Sequence, residues 1–167
     1  MNKKPATDDD AGTAVSMRGV AKRYGRTVVL DGFDLDVTRG EFVVLNGPSG
    51  CGKSTTLNLL AALERPDRGV VEVAGHRLDR RHPRHLAHFR RFEVGMVFQL
   101  HNLIPRLTAR ENIEAAMFGT GRHRRQRVAR ADELLERLGL LERAGDRPPT
   151  MSGGERQRTA VARALAN

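Results

Sequence analysis

Residues 41–60 read EFVVLNGPSGCGKSTTLNLL: a short apolar run, a glycine-rich turn and a helix that opens on Lys53. The turn satisfies G-x-x-x-x-G-K-[ST] through Gly47, Gly52, Lys53 and Ser54, with Pro48, Ser49, Gly50 and Cys51 between the outer glycines. Glycines let successive backbone N–H groups turn inward without a Cβ in the way, which makes a concave nest for anionic oxygens. The helix start adds unpaired N–H donors and the positive end of its dipole. Lys53 brings a point charge, and the Ser54 hydroxyl is a hard oxygen suited to Mg²⁺. The stretch is read as a phosphate-binding loop running to Thr55.

Its surroundings agree with that reading. Phe42, Val43, Val44 and Leu45 predict a buried strand before the turn, and Leu57, Leu59, Leu60 and Leu63 continue helically after it. At 167 residues and 39% hydrophobic, the chain holds one domain with a real core. The net charge of +9 comes from 29 Lys and Arg against 20 Asp and Glu. Such a balance suggests nucleic acid or an anionic membrane surface. The arginines are dispersed, however, and aromatics at 4% are too few for base stacking, so a solvated basic surface is the preferred reading. The single cysteine, Cys51, excludes an internal disulfide framework and fits a reducing compartment. No apolar run approaches the roughly 18 residues of a membrane span, and the N-terminal MNKKPATDDDAGT has no signal-peptide core.

In chain order, residues 1–13 are polar and expected to be disordered. VSMRGVAKRY, TVVLDGF and DLDVT read as short antiparallel strands around Gly25 and Gly32, with Tyr24, the only tyrosine, ahead of the phosphate loop. Residues 70–78 form a hairpin. His82, His85 and His88 recur every three residues, but that spacing spreads them over about 120° of a helix, and they are taken as surface residues. Glu93 to Phe98 predicts a second buried strand ending in Gln99, at the carboxyl end where ligands of open nucleotide-binding sheets sit.

The rest is helical. Thr108 to Glu111 is a capping box opening a helix to about Phe118, GTGRHRR reads as a basic loop, and Val128 to Leu138 as an amphipathic helix stopped by Gly139. MSGGERQR at 151–158 places Ser152 as N-cap with Glu155 as its partner, so Gly153 and Gly154 lie at another helix N-terminus, a second anion site. That helix runs to the chain's end without a visible cap.

GPSGCGKST, the upstream Tyr24, VFQ and MSGGERQR, in this order and spacing, closely resemble the ATP-binding subunits of ABC transporters, over residues 15–167. FQLHNLIPRLTARENIEAA is most similar to the bacterial branch of lipoprotein-release and macrolide-export ATPases. The resemblance implies an α/β fold: a P-loop core with an antiparallel β subdomain over 14–99, a helical subdomain over 100–155 and a signature helix over 152–167. It implies that Tyr24 stacks on adenine and that Gly47, Pro48, Ser49, Gly50, Cys51, Gly52, Lys53, Ser54 and Thr55 wrap the phosphates of ATP. Lys53 would contact the β and γ phosphates, Ser54 would hold Mg²⁺, and Gln99 would reach the metal and the attacking water. Ser152, Gly153 and Gly154 would bind ATP held by a second subunit. The implied partners are that subunit and an integral membrane permease, with no nucleic acid, at the inner face of the plasma membrane.

Two departures qualify the resemblance. The family's usual glutamine after Ser-Gly-Gly is Glu155 here, expected as a tolerated change. The family's metal-supporting aspartate, water-polarising glutamate and switch histidine lie beyond the signature helix; here Glu155 is the only acid after Met151 and no histidine follows His123. The residues are therefore expected to be the front portion of a longer ATPase that binds ATP better than it turns it over. The alternatives are a P-loop ATPase acting on DNA and a regulatory fragment that pairs with a complete subunit.

Overall fold

The computed structural model describes residues 12–167. Most of the tail expected to be disordered thus lies outside the described residues, while Thr13 already opens a strand. The chain divides into two compact units, one through Phe89 and one from Arg90 onward.

The first unit is built on a four-stranded antiparallel sheet of order β2-β1-β3-β4. β1 (Thr13–Tyr24) and β2 (Thr27–Thr38) form a long hairpin, and β3 (Arg68–Val73) and β4 (His76–Arg77) a shorter one. The first hairpin turns through Gly25, whose positive φ of 59° is the conformation such tight turns require. β2 runs unbroken through Gly32, so the two strands expected over 27–38 are one. Met17 faces Leu35 on one side and Val71 on the other, and Met17, Val20 and Val71 are fully buried. Leu59 of α1 (Lys53–Leu60) is buried too, and α1 lies against β3.

Neither expected buried strand forms. Residues 41–46 and 94–98 carry no strand assignment, and Phe42 and Val44 are 90% and 70% exposed. An apolar run becomes a buried strand only when neighbours take up its N–H and C=O groups and cover its faces. Among the described residues, all sheet pairing is taken by β1 to β4, and neither run gains a ladder partner.

α2 (Pro83–Phe92) crosses the division between the units; it carries His85 and His88, with His82 just before it, all exposed. In the second unit α3 (Ala109–Ala116), α4 (Arg124–Arg137) and α5 (Gly153–Ala164) pack pairwise. Their shared core is Ala109, Ile113, Met117, Ala131, Leu134, Leu135, Leu140, Ala144, Met151, Ala162 and Ala166. The capping boxes at Thr108 and Ser152 both form. α4 starts four residues before its expected start: His123 caps it, its Nδ1 accepting from Gln126 N at 3.4 Å while Gln126 Oε1 accepts from His123 N at 3.1 Å. Arg124 and Arg125, expected in a loop, are helical.

The end of α5 is capped after all, through distant arginines rather than a local residue. Arg130 donates to Leu165 O at 3.0 Å and Arg122 to Ala166 O at 2.8 Å, placing cations where the helix dipole favours them.

Candidate functional site

The glycine-rich turn departs from regular structure in the way its residues require. Gly47, Gly50 and Gly52 all hold positive φ, at 150°, 83° and 97°, and Gly52 is the N-cap of α1. Space as well as angle restricts two of them. A Cβ on Gly52 would lie 2.9 Å from Leu30 Cδ2, and one on Gly47 would lie 2.8 Å from Cys51 Sγ. The Lys53 ammonium bends back over the loop, donating to Gly47 O at 2.6 Å and Pro48 O at 2.7 Å, with Cys51 Sγ at 3.5 Å. Thr56 steadies the first turn of α1, its hydroxyl donating to Gly52 O at 3.0 Å.

Above this loop lies an open cavity of about 420 Å³ lined by Val29, Ser49, Gly50, Gly52, Lys53, Ser54 and Thr55. Its lining contains one ammonium, three hydroxyls and no carboxylate, at the positive end of a helix. That is a basin for a polyanion, and the Ser54 and Thr55 hydroxyls are hard donors that fit a divalent cation bridging phosphates.

Tyr24 ends β1 in the same unit. Its hydroxyl donates to Glu64 at 2.5 Å and lies within hydrogen-bonding reach of the cavity-lining Thr55. Tyr24 is 45% exposed, with the Lys22 ammonium 5.4 Å from its ring centroid. The hydrogen bond to Glu64, then burial, pushes the phenol pKa up. Glu64 also accepts from Asn58 Nδ2 at 2.9 Å, and the bonds from Tyr24 and then Asn58 hold its carboxyl below the usual carboxylate range. Glu64 is thus a positioning group for Tyr24. The sequence carries little signal for it beyond an acid four residues after the end of α1.

The other candidates belong to the second unit. Gln99 is exposed, in a turn that continues through His101 and Asn102 at φ 61° and 48°. Ser152, Gly153 and Gly154 stand exposed at the start of α5. Glu155 Oε2 accepts from Ser152 N at 2.7 Å and Ser152 Oγ from Glu155 N at 3.3 Å. The backbone bond from Ser152, then that from its side chain, keep the Glu155 carboxyl ionised below its ordinary range. The carboxylate is therefore engaged with its own cap. An added Cβ on Gly153 would meet nothing within 4 Å, and one on Gly154 only the Arg158 guanidinium at 3.5 Å.

Two residues without a signal in the sequence hold the segment between Gln99 and α3. Asn112, 1% exposed, accepts from Ile104 N at 2.7 Å and donates to the carbonyls of Ile104, Leu107 and Thr108. Arg163 of α5 donates to the carbonyls of His101 and Asn102.

Residues 30–167 match the family described as ABC transporter. The chain is 42% identical over 153 residues to a lipoprotein-releasing system ATP-binding protein of Bacteroides fragilis, covering 92% of this chain and 71% of that one. It is 43% identical to a macrolide export ATP-binding/permease protein of Nitrosomonas europaea, covering 92% of this chain and 24% of that much longer one. Among solved structures it is similar to a dimeric ATP-binding cassette, MJ0796, in a post-hydrolysis state bound to ADP and Pi. The TM-score is 0.82 at 38% identity, covering 92% of this chain and 69% of that one.

Proposed function

The chain belongs to the ABC transporter family, as an ATP-binding component of the lipoprotein-release and macrolide-export branch, and from that premise we propose that residues 47–55 hold the phosphates of Mg-ATP. The supporting observation is the 420 Å³ basin with a single ammonium, three hydroxyls and no carboxylate, lined in part by Gly52, where a side chain would collide with Leu30. Mg-ATP supplies the transferable phosphoryl group, and the metal neutralises charge on it. This chain's part is to bind and orient. Backbone N–H groups from Gly50 to Thr55 cradle the phosphates, and Lys53 turns from the Gly47 and Pro48 carbonyls to the β and γ oxygens. The Ser54 hydroxyl ligates Mg²⁺, Tyr24 offers its exposed ring to adenine, and Gln99 serves the metal and the attacking water.

The second anion site is assigned to a second copy. Ser152, Gly153 and Gly154 stand exposed at a helix N-terminus, as a subunit reading the γ-phosphate of its partner's ATP needs; the solved relative is itself dimeric. The dimer would act on an integral membrane permease, attached peripherally to the inner face of the plasma membrane. No helix of the described residues is long and apolar enough to cross a membrane. Relatives named for release and export do not favour the DNA-acting alternative.

The test is titration of a fluorescent ATP analogue with Mg²⁺ against the chain and its Lys53→Ala variant. Removing the ammonium is expected to weaken binding at least about tenfold, roughly 1.4 kcal/mol. Equal affinities would sink the assignment of the basin to phosphates.

A further inference from the structure

The loop after Gln99 holds two consecutive residues, neither glycine, in left-handed conformation, His101 at φ 61° and Asn102 at φ 48°. Such residues persist only where their surroundings over-determine them. The local bonds are few: His101 N donates to Phe98 O at 2.9 Å and Asn102 N to Leu100 O at 2.7 Å. What fixes the pair comes from far along the chain, 61 residues beyond Asn102. Arg163 Nη2 donates to His101 O at 2.7 Å and Nη1 to Asn102 O at 2.6 Å, so one planar fork spans two neighbouring carbonyls. No carboxylate among the described residues acts on Arg163, and burial alone lowers its pKa. A guanidinium half-buried without a counter-charge and committed to two carbonyls is there for geometry rather than for charge pairing.

The other flank of Gln99 rests on the same helix end. A Cβ built on Gly95 would fall 2.1 Å from Ala164 O, an approach only glycine permits. Both flanks of Gln99 are therefore seated on the last turn of α5, whose first turn carries Gly153 and Gly154 with Ser152 as its cap. With 12 residues the helix is about 18 Å long, a rigid rod joining the two places.

We infer that Arg163 is a positioning residue for Gln99: it locks the strained turn that follows Gln99 onto the signature helix, so that engagement of Ser152 to Gly154 bears directly on where Gln99 stands. The part played by Gln99 rests on the function proposed above; the lock itself does not.

The lock is tested on the 167-residue chain by backbone NMR order parameters and amide hydrogen exchange, for wild type, Arg163→Met and Arg163→Lys. A further variant combines Arg163→Met with His101→Gly and Asn102→Gly. In wild type, Gln99 to Asn102 are expected near the rigid value of about 0.85. In Arg163→Met they fall below about 0.6 and their amides exchange at least about tenfold faster, while Leu134 and Leu135 in the core are unchanged. Arg163→Lys, with one point donor for two carbonyls, lies between. The double glycine variant stays unprotected, because glycine takes φ above zero at no steric cost but leaves the unanchored turn freer still. Unchanged order in Arg163→Met, a loss spread evenly over α3 to α5, or protection restored by the glycines alone, overturns the inference. The ATP analogue's affinity is measured on the same samples. If it fails to bind while the Arg163 effects appear, the proposed function falls and the lock stands. Normal binding with no Arg163 effect removes the lock and leaves the proposed function standing.

Discussion

At the scale of single residues, the unexpected work is done by groups that touch a candidate rather than by the candidates themselves. Tyr24 stands out for its ring, but the ring's position depends on Glu64, which accepts from both the phenol and Asn58 while Lys22 stands 3.5 Å away. Because these donors lower the Glu64 pKa, its carboxylate form stabilises the fold. That contribution is fully present above the unfolded-state value of about 4.3 and is lost as pH falls through the lower folded-state value. Glu64→Gln is accordingly expected to melt about 1 to 3 °C below wild type at pH 7, with the two curves converging as the pH drops below about 4. Thermal melts of both proteins across that range check the sign. A gap that widens in acid would show that Glu64 is not held in its charged form.

At the scale of elements, the sequence announces local chemistry well and long-range pairing badly. The boxes at Thr108 and Ser152 and the stop at Gly139 are decided within a few residues, and all are where the pattern puts them. The early start of α4 is hard to read for a physical reason. Arg124, Arg125 and Arg127 in its first turns oppose the helix dipole, and its cap is an imidazole, outside the usual Ser, Thr, Asp and Asn. The runs 42–45 and 93–98 fail differently, since hydrophobicity records a tendency to be covered and not which neighbour does the covering. Asn112 shows the same gap from the polar side. Read from sequence it is one more residue of α3, yet four hydrogen bonds from its buried amide tie down the chain from Ile104 to Thr108. Asn112→Ala would leave Ile104 N and several carbonyls without that partner, at a cost of about 3 kcal/mol. Urea denaturation should show that loss in the midpoint with the slope unchanged; a loss below about 1 kcal/mol would mean that water replaces the amide.

At the scale of the whole molecule, the question is what these residues achieve together without further acids. Phosphoryl transfer is mainly positioning and neutralisation of charge, and the basin at residues 47–55 offers both for a bound nucleotide. Activating water is a separate task that needs a base or an orienting carboxylate. Beyond Met151 the sequence offers only Glu155, and that carboxylate is occupied by the Ser152 backbone N–H and faces Arg143 at 3.8 Å. Glu155 is therefore a cap, and replacing it with glutamine, which keeps the box, is expected to leave nucleotide binding unchanged. Binding and turnover should then separate. The 167-residue chain is expected to bind Mg-ATP analogues through Lys53 while releasing phosphate no faster than a Lys53→Ala control. Phosphate release above that of the relative alone should appear when the chain is mixed with the Bacteroides lipoprotein-releasing system ATP-binding protein, whose site can borrow this chain's Ser152 to Gly154. A coupled phosphate assay on the chain, the control, the relative alone and the mixture decides it. Robust release by the chain alone would mean that a group within these residues orients the water, and Gln99 would be the first to replace.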